Sequence, residues 1–592
     1  MSYFVASEGA LETGAAVVAR KRSNSRFAAL TLAASSRRLL GSSSMVALGL
    51  VLATSTPSRA TEWTGGTSTD WFIGTNWSAG VPTSAVDAII DTVAPNATVV
   101  GAAGAQAHVL RLGNSGTGTL TIQNGGTLSN AVFGVLGFNA GSTGTATVDG
   151  VGSAWTNSGD LYLGFNGAGT LTIRNGGAVS NGISWLGFGV GSGTATVDGV
   201  GSSWTNSANL YVGYGGTGTL TIQNGGKVSN IDGVLGNNAG KTGSATVDGT
   251  GSTWTNSGDL YVGRSGTGTL TIQNGGNVSN AGIGYLGFTA GSTGTTTVDG
   301  AGSAWTNSGE LYVGNFGTGT LTIQSGGKVS DADGYVGNNA GSIGSATVDG
   351  AGSAWTNSST LNVGVAGTGT LTIQNGGTVS NAGIGLLGVY AGSTGTVTVD
   401  GAGSSWTNSG NVYVGILGTG TLTIRNGGAA SSPGVVTIGE LAGSTGTVTV
   451  DGAGSSFTNS GLVVGSFGTG TLTIQNGGKA NTYTSYINTG TTTVNGAGSS
   501  WTNSGNLSVG NSRAGTLTIE NGGAVSNVIG WIGVNAGSTG TVTVDGAGSS
   551  WTNSGTLFVG NSGTGTLTIA NGGTVSTASG MQIAALAGST GT

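Results

Sequence analysis

One short sequence recurs from residue 113 to the end of the chain. Its copies include TVTVDGAGSSWTNSGNVYVG, from Thr396 to Gly415, and the related TLTIQNGGTVSNAGIGLLG, from Thr370 to Gly388. Tryptophan or phenylalanine marks every second copy at intervals of 49 to 51 residues, apart from one step of 44 residues that ends at Trp501. Both half-repeats contain an alternating strand, a glycine turn, an asparagine and an apolar residue before glycine. The structural unit is therefore about 25 residues long.

Each unit predicts about three short strands, joined at corners where only glycine takes a positive φ without steric cost. The fold class that follows is all-β: a parallel β-helix (β-solenoid) of about 19 turns, in which every strand pairs with its copy one turn away at ~4.8 Å. Leu and Ile of the first strand should face the interior and Thr the solvent, because side chains alternate along a strand.

Composition argues against other repetitive classes. The chain has 124 Gly among 592 residues, without the Gly-X-Y period of collagen, and only 6% of its residues are charged, unlike a charge-rich disordered chain. Cysteine is absent, which excludes disulfides and thiolate chemistry. Stability must therefore come from burial and backbone pairing.

Asparagine recurs at one position of each unit. If the units stack, these amides lie above one another at one corner, and we expect each to bond to those above and below, a ladder that stabilises stacked β structure. The predicted ladder begins with Asn130, Asn157, Asn181, Asn206, Asn230 and Asn256.

Two aromatic columns are candidate binding features. The repeated Trp alternates with Val or Leu, which favours a position in the core over an exposed sugar-stacking column. Tyrosine lies between two inward apolar residues, so strand alternation turns it outward. Such a stripe could bind a polymer through many weak contacts, or the rings could simply stack on one another. The candidate stripe is Tyr162, Tyr211, Tyr261, Tyr312 and Tyr413.

Other residue types give no catalytic, cofactor or metal site. His108 is the only histidine, and its sequence neighbours do not support a catalytic triad, so we expect a surface or cap residue. An Asp-Gly pair recurs in every second unit, which separates the carboxylates by about 10 Å, too far to share one calcium ion. A pair of glycosidase carboxylates is possible at that distance, but identical surface sites lack the cleft that tunes them.

The two ends differ from the repeats. Residues 1–60 contain basic residues, the mostly apolar run from Leu39 to Ala53 and small residues before Ala60, which together predict a long secretory signal peptide. Residues 61–112 contain Trp63, Trp71 and Trp77 and predict a cap over the unpaired edge of the coil, with an aromatic glycan-binding face as the alternative. Residues 113–592 form the repeat, which stops where another copy would begin, as though truncated.

The repeats GTLTIQNGGTVSN, GSTGTVTVDGAGSSWTNSG and LYVG resemble those of autotransporter (type V secretion) passengers and of the exopolysaccharide-associated surface proteins of the PEP-CTERM class. The resemblance covers about residues 113–592. It implies a β-helical passenger exported across both membranes of a Gram-negative cell, often acting in adhesion or matrix association. The terminal β-barrel of an autotransporter and the PEP-CTERM sorting tail are both missing, so either the barrel lies beyond the end or another component exports the chain.

We therefore predict a non-enzymatic, structural rod at the outer-membrane surface or outside the cell, acting in adhesion. A protein of the exopolysaccharide matrix is the alternative, and a polysaccharide-degrading enzyme is the weakest hypothesis. The expected partners are outer-membrane export machinery or the chain's own missing β-barrel, and a glycan or host-surface ligand. Without residues 1–60 the chain has 9 basic and 20 acidic residues, a net charge of −11, which disfavours nucleic acid.

Overall fold

A computed structural model describes residues 60–592, so the predicted signal peptide lies outside the described residues except for Ala60. The predicted fold class is confirmed: the chain is an all-β parallel solenoid with three short strands in each turn. We call the three sides of the coil the first, second and third faces, in the order in which the chain visits them. Twenty-one strands pair along the first face, close to the predicted number of turns.

The strands of the first face lie in register over most of their length, as where Leu171 pairs with Ala146 on one side and Ala195 on the other. Their bounds are Thr98–Val100, Thr117–Gln123, Thr143–Asp149, Ala168–Arg174, Ser192–Asp198, Thr217–Gln223, Thr242–Asp248, Thr267–Gln273, Thr293–Asp299, Thr318–Gln324, Ile343–Asp349, Thr368–Gln374, Thr394–Asp400, Thr419–Arg425, Thr445–Asp451, Thr469–Gln475, Gly490–Asn495, Ala514–Glu520, Thr539–Asp545, Thr564–Ala570 and Thr590–Gly591.

The second face carries the asparagine position. Its strands are Ala105–Ala107, Thr127–Asn130, Ala154–Asn157, Ala178–Asn181, Ser203–Asn206, Lys227–Asn230, Thr253–Asn256, Asn277–Asn280, Ala304–Asn307, Lys328–Asp331, Ala354–Asn357, Thr378–Asn381, Ser405–Asn408, Lys479–Thr482, Ser500–Asn503, Ala524–Asn527, Ser550–Asn553 and Thr574–Thr577. Two longer strands, Ala429–Ile438 and Ser456–Val464, run on into the third face.

The third face carries the tyrosine position. Its strands are Ala60–Glu62, Asp87–Ile90, Leu110–Leu112, Gly134–Leu136, Leu161–Leu163, Ser184–Leu186, Leu210–Val212, Gly233–Leu235, Leu260–Val262, Gly284–Leu286, Leu311–Val313, Gly334–Val336, Leu361–Val363, Gly385–Leu387, Val412–Val414, Thr484–Ile487, Leu507–Val509, Gly530–Ile532, Leu557–Val559 and Met581–Ile583. Gly74–Asn76 form a single 3-10 turn. Among residues 60–592, no helix has the length and apolar character needed to cross a membrane.

Strand alternation fills the interior as predicted. In Thr117–Gln123, Leu120 and Ile122 are buried, while Thr119 and Thr121, which alternate with them, are half-buried on the outside. At several inward-facing positions, the side chains also alternate between small and large in neighbouring turns. Gly284 opens a third-face strand beside the indole of Trp305 from the next turn, and a Cβ at this glycine would lie 3.0 Å from that ring. Small and large residues therefore interlock along the axis, which gives a dense core.

The corner before each first-face strand requires glycine. Gly137 has φ +68°, and a Cβ there would lie 2.3 Å from the carbonyl oxygen of Ala168 in the next turn. Only a residue without a side chain allows the turns to approach this closely with a positive φ. The recurring Leu-Gly or Val-Gly pair in the sequence marks this corner.

Residues 61–112, where we predict a cap, lie against the first strands of the coil and also begin it. The indoles of Trp63, Trp71 and Trp77 are buried and pack edge to face, with ring centroids 5.1 and 4.7 Å apart. The backbone N–H of Trp71 donates to the oxygen of Val99 at 2.9 Å, which covers the first strand of the first face. Parallel pairing already begins before residue 113, where we placed the boundary, because Asp87–Ile90 pairs with the strand at Leu110.

The step of 44 residues that ends at Trp501 contains one shortened turn. Thr484–Ile487 and Gly490–Asn495 keep their ladder pairs with both neighbouring turns, and only the connection between them is shortened. The row of loops that connects the third face to the first is therefore interrupted at this one turn. Arg513 reaches back to within 4.6 Å of the Phe467 ring.

One core position is underfilled and gives a testable prediction. Ala430 takes the place that Val179 and Val379 hold in other turns, and a cavity of about 10 Å³ lies beside it, next to Trp406 and Phe457. We expect Ala430→Val to raise the free energy of unfolding by about 0.5–1 kcal/mol, since two buried methyl groups fill the space. Chemical denaturation can measure this. An equal gain from Ala429→Val, at a half-buried neighbour, would contradict the cavity explanation.

Candidate binding face

The three faces differ sharply in the side chains they expose. The two central outward positions of each first-face strand between residues 117 and 570 are Thr or Ser in every turn, as at Thr119 and Thr121. By contrast, every aromatic side chain of residues 113–592 outside the core lies on a third-face strand or on a corner beside one. One long side of the rod is thus aromatic and apolar, and another is covered by hydroxyls.

The predicted tyrosine stripe lies on this third face, but less exposed than expected. Tyr211, Tyr261, Tyr312 and Tyr413 are half-buried. Tyr162 is only 4% exposed, which contradicts its place in an exposed stripe. The cause is aromatic crowding, because Phe165, Phe188 and Trp185 lie 5.7, 5.2 and 6.3 Å from its ring.

The stripe contains residues that we did not predict. Trp185 stacks between Tyr162 and Tyr211, and its ring centroid is 4.4 Å from that of Tyr211. Tyr285 and Tyr335 complete a second stack in the order Tyr261, Tyr285, Tyr312, Tyr335, with centroid distances of 5.0, 5.3 and 4.6 Å. We had taken tyrosines only from alternate units. The same register position in the intervening units would have revealed the others.

The stacking decides what the tyrosines can offer to a ligand. Neighbouring rings are almost parallel, with interplanar angles of 9–12° in the second stack, so each ring covers the faces of the next. Sugar stacking on a ring face is therefore blocked inside a stack, and ring edges and phenol oxygens remain accessible. Tyr413 stands alone, because its neighbours in register are Leu386 and Thr437.

A second aromatic column runs beside the first at the corner that follows it. Phe138, Phe165, Phe188 and Tyr214 contact one another with centroid distances of 5.1, 4.8 and 5.5 Å. Together with Tyr162, Trp185 and Tyr211 they form a patch over consecutive turns. Further along, the apolar character continues in the same corner through Tyr390, Leu417 and Phe467, which are 56%, 37% and 49% exposed.

Carboxylates line the other edge of the tyrosine column. The Tyr261 hydroxyl donates to Asp259 at 3.1 Å, and the Tyr162 hydroxyl donates to Asp160 at 3.3 Å. Burial, with the nearby negative charges of Asp259 and Glu310, raises the pKa of Tyr285 to about 12. Burial and Asp259 likewise raise the pKa of Tyr261. Tyr261 and Tyr285 are therefore neutral hydrogen-bond donors at physiological pH.

These corner carboxylates also have a structural task. Asp259 accepts the backbone N–H of Ile283 in the next turn at 2.8 Å, and Asp333 accepts that of Thr360 at 2.7 Å. At the same corner, Asn411 accepts the backbone N–H of Val435 and Asn506 accepts that of Ile529, each from the next turn. Because asparagine serves equally well, the corner does not need a charge.

The asparagine ladder that we expected is interrupted at every second turn. Asn130 donates to Asn157 at 2.8 Å, Asn181 to Asn206 at 3.0 Å and Asn230 to Asn256 at 2.6 Å. The next step is different, because Asn206 donates to the backbone oxygen of Ser229. The indole N–H of Trp204 already occupies the Asn181 oxygen at 2.8 Å, so no amide from the preceding turn is bonded to it.

The repeated tryptophans are core residues. Trp155, Trp204 and Trp254 have no exposed surface, and the Trp254 indole N–H donates to Asn230 at 2.7 Å. The column therefore offers nothing to a sugar. It links the second-face asparagines to the hydrophobic interior, a use that suits an apolar ring with one polar edge.

The aspartate column forms turn contacts. Asp149 accepts from Asn175 in the next turn at 2.7 Å and from the Arg174 guanidinium at 2.9 Å. These bonds, chiefly the Asn175 hydrogen bond, lower the pKa of the Asp149 carboxyl. His108 bonds to Asp87 at 2.9 Å, and Arg111 reaches the same carboxylate at 3.2 Å. Within residues 60–592, no three acidic or histidine side chains are grouped to hold a metal ion.

Known proteins offer little guidance. No family model and no curated protein matches this chain. The solved structures that it resembles include one described as the TibC-catalysed hyperglycosylated fragment 55–350 of TibA, with 18% sequence identity and a TM-score of 0.32. That match covers 64% of this chain and 99% of the other. A likeness at this level says nothing about function.

Proposed function

We propose that this protein is a structural rod of the cell surface or extracellular space that acts in adhesion through its third face. The observation that supports this proposal is the restriction of every exposed aromatic side chain in residues 113–592 to that face and its corners. A uniform coil on the order of 100 Å long suits reach and display. We propose a passenger of the autotransporter type.

The third face suits a polymeric ligand. In the second stack, phenol oxygens and ring edges recur at the strand spacing of ~4.8 Å, so an extended glycan or host-surface chain would meet the same weak contact in four consecutive turns. Such multivalent contacts multiply binding strength without any deep pocket. Neutral tyrosine hydroxyls donate hydrogen bonds, and the adjacent carboxylates accept them.

Adhesion can be measured with beads that carry purified residues 61–592, placed on epithelial cells and on immobilised exopolysaccharide. We expect the surfaces to retain at least about tenfold fewer beads when the beads carry the double variant Tyr285→Ser/Tyr312→Ser. The reason is that the loss of two contacts is amplified when many contacts act together on one polymeric ligand. The matched control is Thr271→Ala/Thr297→Ala on the first face, which should bind as the unchanged protein does. Tyr285→Phe/Tyr312→Phe keeps the stack and isolates the contribution of the hydroxyls.

Equal retention of the tyrosine and threonine variants on both surfaces would contradict the proposal. Retention on exopolysaccharide alone would favour the second candidate, a protein of the extracellular matrix. Circular dichroism of each variant distinguishes a lost contact from a lost fold.

A further inference from the structure

Asparagine followed by glycine forms the same exposed turn after the first-face strand of every second unit, except that Ser325 replaces the asparagine in one of them. In the first of these turns Asn124 and Gly125 have φ +57° and +76°, and the Gly126 N–H donates to the Gln123 oxygen at 2.9 Å, which defines a type I′ turn. The asparagines of these turns are Asn124, Asn175, Asn224, Asn274, Asn375, Asn426, Asn476, Asn521 and Asn571.

An Asn-Gly pair can modify itself. The backbone nitrogen of glycine attacks the side-chain carbonyl carbon of asparagine, ammonia leaves and a five-membered succinimide forms. Water then opens the ring to an aspartyl or an isoaspartyl residue, so no other reactant is needed. Thermolabile asparagine is a recognised weakness of proteins, and glycine offers no side chain to hinder the attack.

Most of these turns are held against that reaction. The Asn175 side-chain N–H donates to Asp149 in the preceding turn at 2.7 Å, and the attacking nitrogen of Gly176 donates to the Ser202 hydroxyl at 3.0 Å. Ser202 in turn donates to the backbone oxygen of Asp198 at 2.6 Å. The nucleophile and the electrophile are thus both committed to other bonds. The turns with this complete set of bonds, in which an aspartate accepts from the asparagine, are those of Asn175, Asn224, Asn274, Asn375, Asn426 and Asn476. In the turn of Asn521 the acceptor is Asn495.

The first turn lacks the restraint on the asparagine side chain and keeps the one on the glycine nitrogen only at a longer distance. Gly101 takes the place of Asp149 in the preceding turn, and the Asn124 side chain has no hydrogen-bond partner among residues 60–592. Gly125 donates to Ser153 at 3.2 Å, longer than the 3.0 Å at Gly176.

The glycine of the first turn is also uncovered. No atom lies within 4 Å of a Cβ built on Gly125, whereas the equivalent position on Gly176 meets Val151 at 2.8 Å. In later turns the corner of the preceding unit therefore packs over this glycine. The first turn has room to rearrange and its equivalents do not.

We infer that Asn124 is a site of spontaneous succinimide formation, and that the solenoid protects the six fully bonded turns from the same reaction. Conversion replaces a neutral amide with a carboxylate. The isoaspartyl product also lengthens the backbone by one carbon in the turn that follows the first long strand of the first face. The product is a chemically aged form that differs from the original at this end of the coil.

To test this, purified protein comprising residues 61–592 is incubated at mildly alkaline pH and then digested for peptide mapping. Mass spectrometry detects the replacement of the amide by a hydroxyl, and chromatography separates aspartyl from isoaspartyl peptides. We expect Asn124 to convert at least about tenfold faster than the six fully bonded asparagines, a ratio that corresponds to the loss of one hydrogen bond.

Two variants provide matched controls. Gly101→Asp places a carboxylate where Asp149 stands one turn later, at a position with a free path for a side chain, and should slow the reaction of Asn124 about tenfold. Ser404→Ala removes the hydroxyl that binds the Gly376 nitrogen at 3.0 Å, and should speed conversion of Asn375 alone. Circular dichroism confirms that each variant is folded.

The inference is overturned if Asn124 converts no faster than the six, or if Gly101→Asp leaves its rate unchanged. It is equally overturned if Ser404→Ala fails to raise the rate at Asn375 in a folded protein. Slower conversion of Asn124 in Gly101→Asp with faster conversion of Asn375 in Ser404→Ala supports it.

Discussion

Replacing Trp305 with alanine should lower the local free energy of unfolding by about 3–5 kcal/mol, the usual cost of removing a buried aromatic ring. Trp305 has no exposed surface, and its indole N–H donates to Asn280 at 2.9 Å. Its register partners are Val278 and Val329. The substitution leaves a cavity between two turns and orphans a buried amide oxygen.

Hydrogen exchange can measure this effect in each turn separately. A local measurement is needed because each turn of a repeat coil is stabilised by its own contacts and by its interfaces with the two neighbouring turns. Amides of the turns on both sides of Trp305 should exchange faster, while those of distant turns stay protected. Thr306→Ala is the control, because Thr306 is the exposed neighbour on the same strand. If the two variants exchanged alike, the indole would not be the main support of these turns.

Asp331→Asn should stabilise the protein, with the gain increasing as the pH rises. Asp331 replaces the asparagine of its unit, is 4% exposed and accepts the Trp355 indole N–H at 2.6 Å. Its second oxygen and both amide atoms of Asn357 in the next turn have no partner. An amide at this position can restore the bond that Asn230 makes to Asn256.

Burial raises the pKa of Asp331 to about 8 and the nearby Asp333 carboxylate adds to the rise, although the Trp355 hydrogen bond opposes it. The folded protein therefore holds a proton that the unfolded chain loses near pH 4. Below about pH 4 the Asp331 carboxyl is protonated in both the folded and the unfolded state, so its ionisation does not lower the free energy of unfolding. As the pH rises from about 4 to 8, the folded state is progressively penalised, by on the order of 4 kcal/mol at pH 7.

Thermal unfolding of both proteins between pH 4 and pH 8 tests this directly. The stability difference in favour of Asp331→Asn should grow across that window and level off above it. A constant difference at every pH would mean that Asp331 is ionised in the fold. Greater stability of the unchanged protein at pH 8 would contradict the expectation altogether.

The repeat predicted the fold well because one period governs every level of the structure. Residues that share a column, such as Gln123 and Asp149, are direct partners in the ladder. The alternation of Leu120 and Ile122 with threonine determined which side faces the core. The replacement of Trp by Val in alternate units likewise indicated a buried column, because both residues occupy the same internal position.

The candidate face was harder to predict because side-chain neighbours come from other turns. Tyr162 was expected outside, and alternation does direct it outward, but aromatic rings of adjacent units cover it. The interrupted amide ladder depends on hydrogen-bond competition: the Trp204 indole occupies the Asn181 oxygen. Composition and period specify positions, whereas occlusion and bond partners depend on three-dimensional contacts.

The shielding of the ring faces limits how the third face could act in the proposed adhesion. A stack of tyrosines that shields its own ring faces must bind through edges and hydroxyls, so shape alone does not make the third face a sugar platform. The strand spacing remains the feature that any long ligand would meet.

Pulsed electron spin resonance between two spin labels tests the stacking of the units most directly, and the chain's lack of cysteine makes the labelling simple. Thr170 and Thr370 point outward from first-face strands that are eight turns apart. Cysteine labels at these positions should be about 40 Å apart, and moving the second label to Thr396 should lengthen the distance by about 5 Å. A distance that stayed the same or shortened on that move would contradict a coil in which each unit adds one strand spacing.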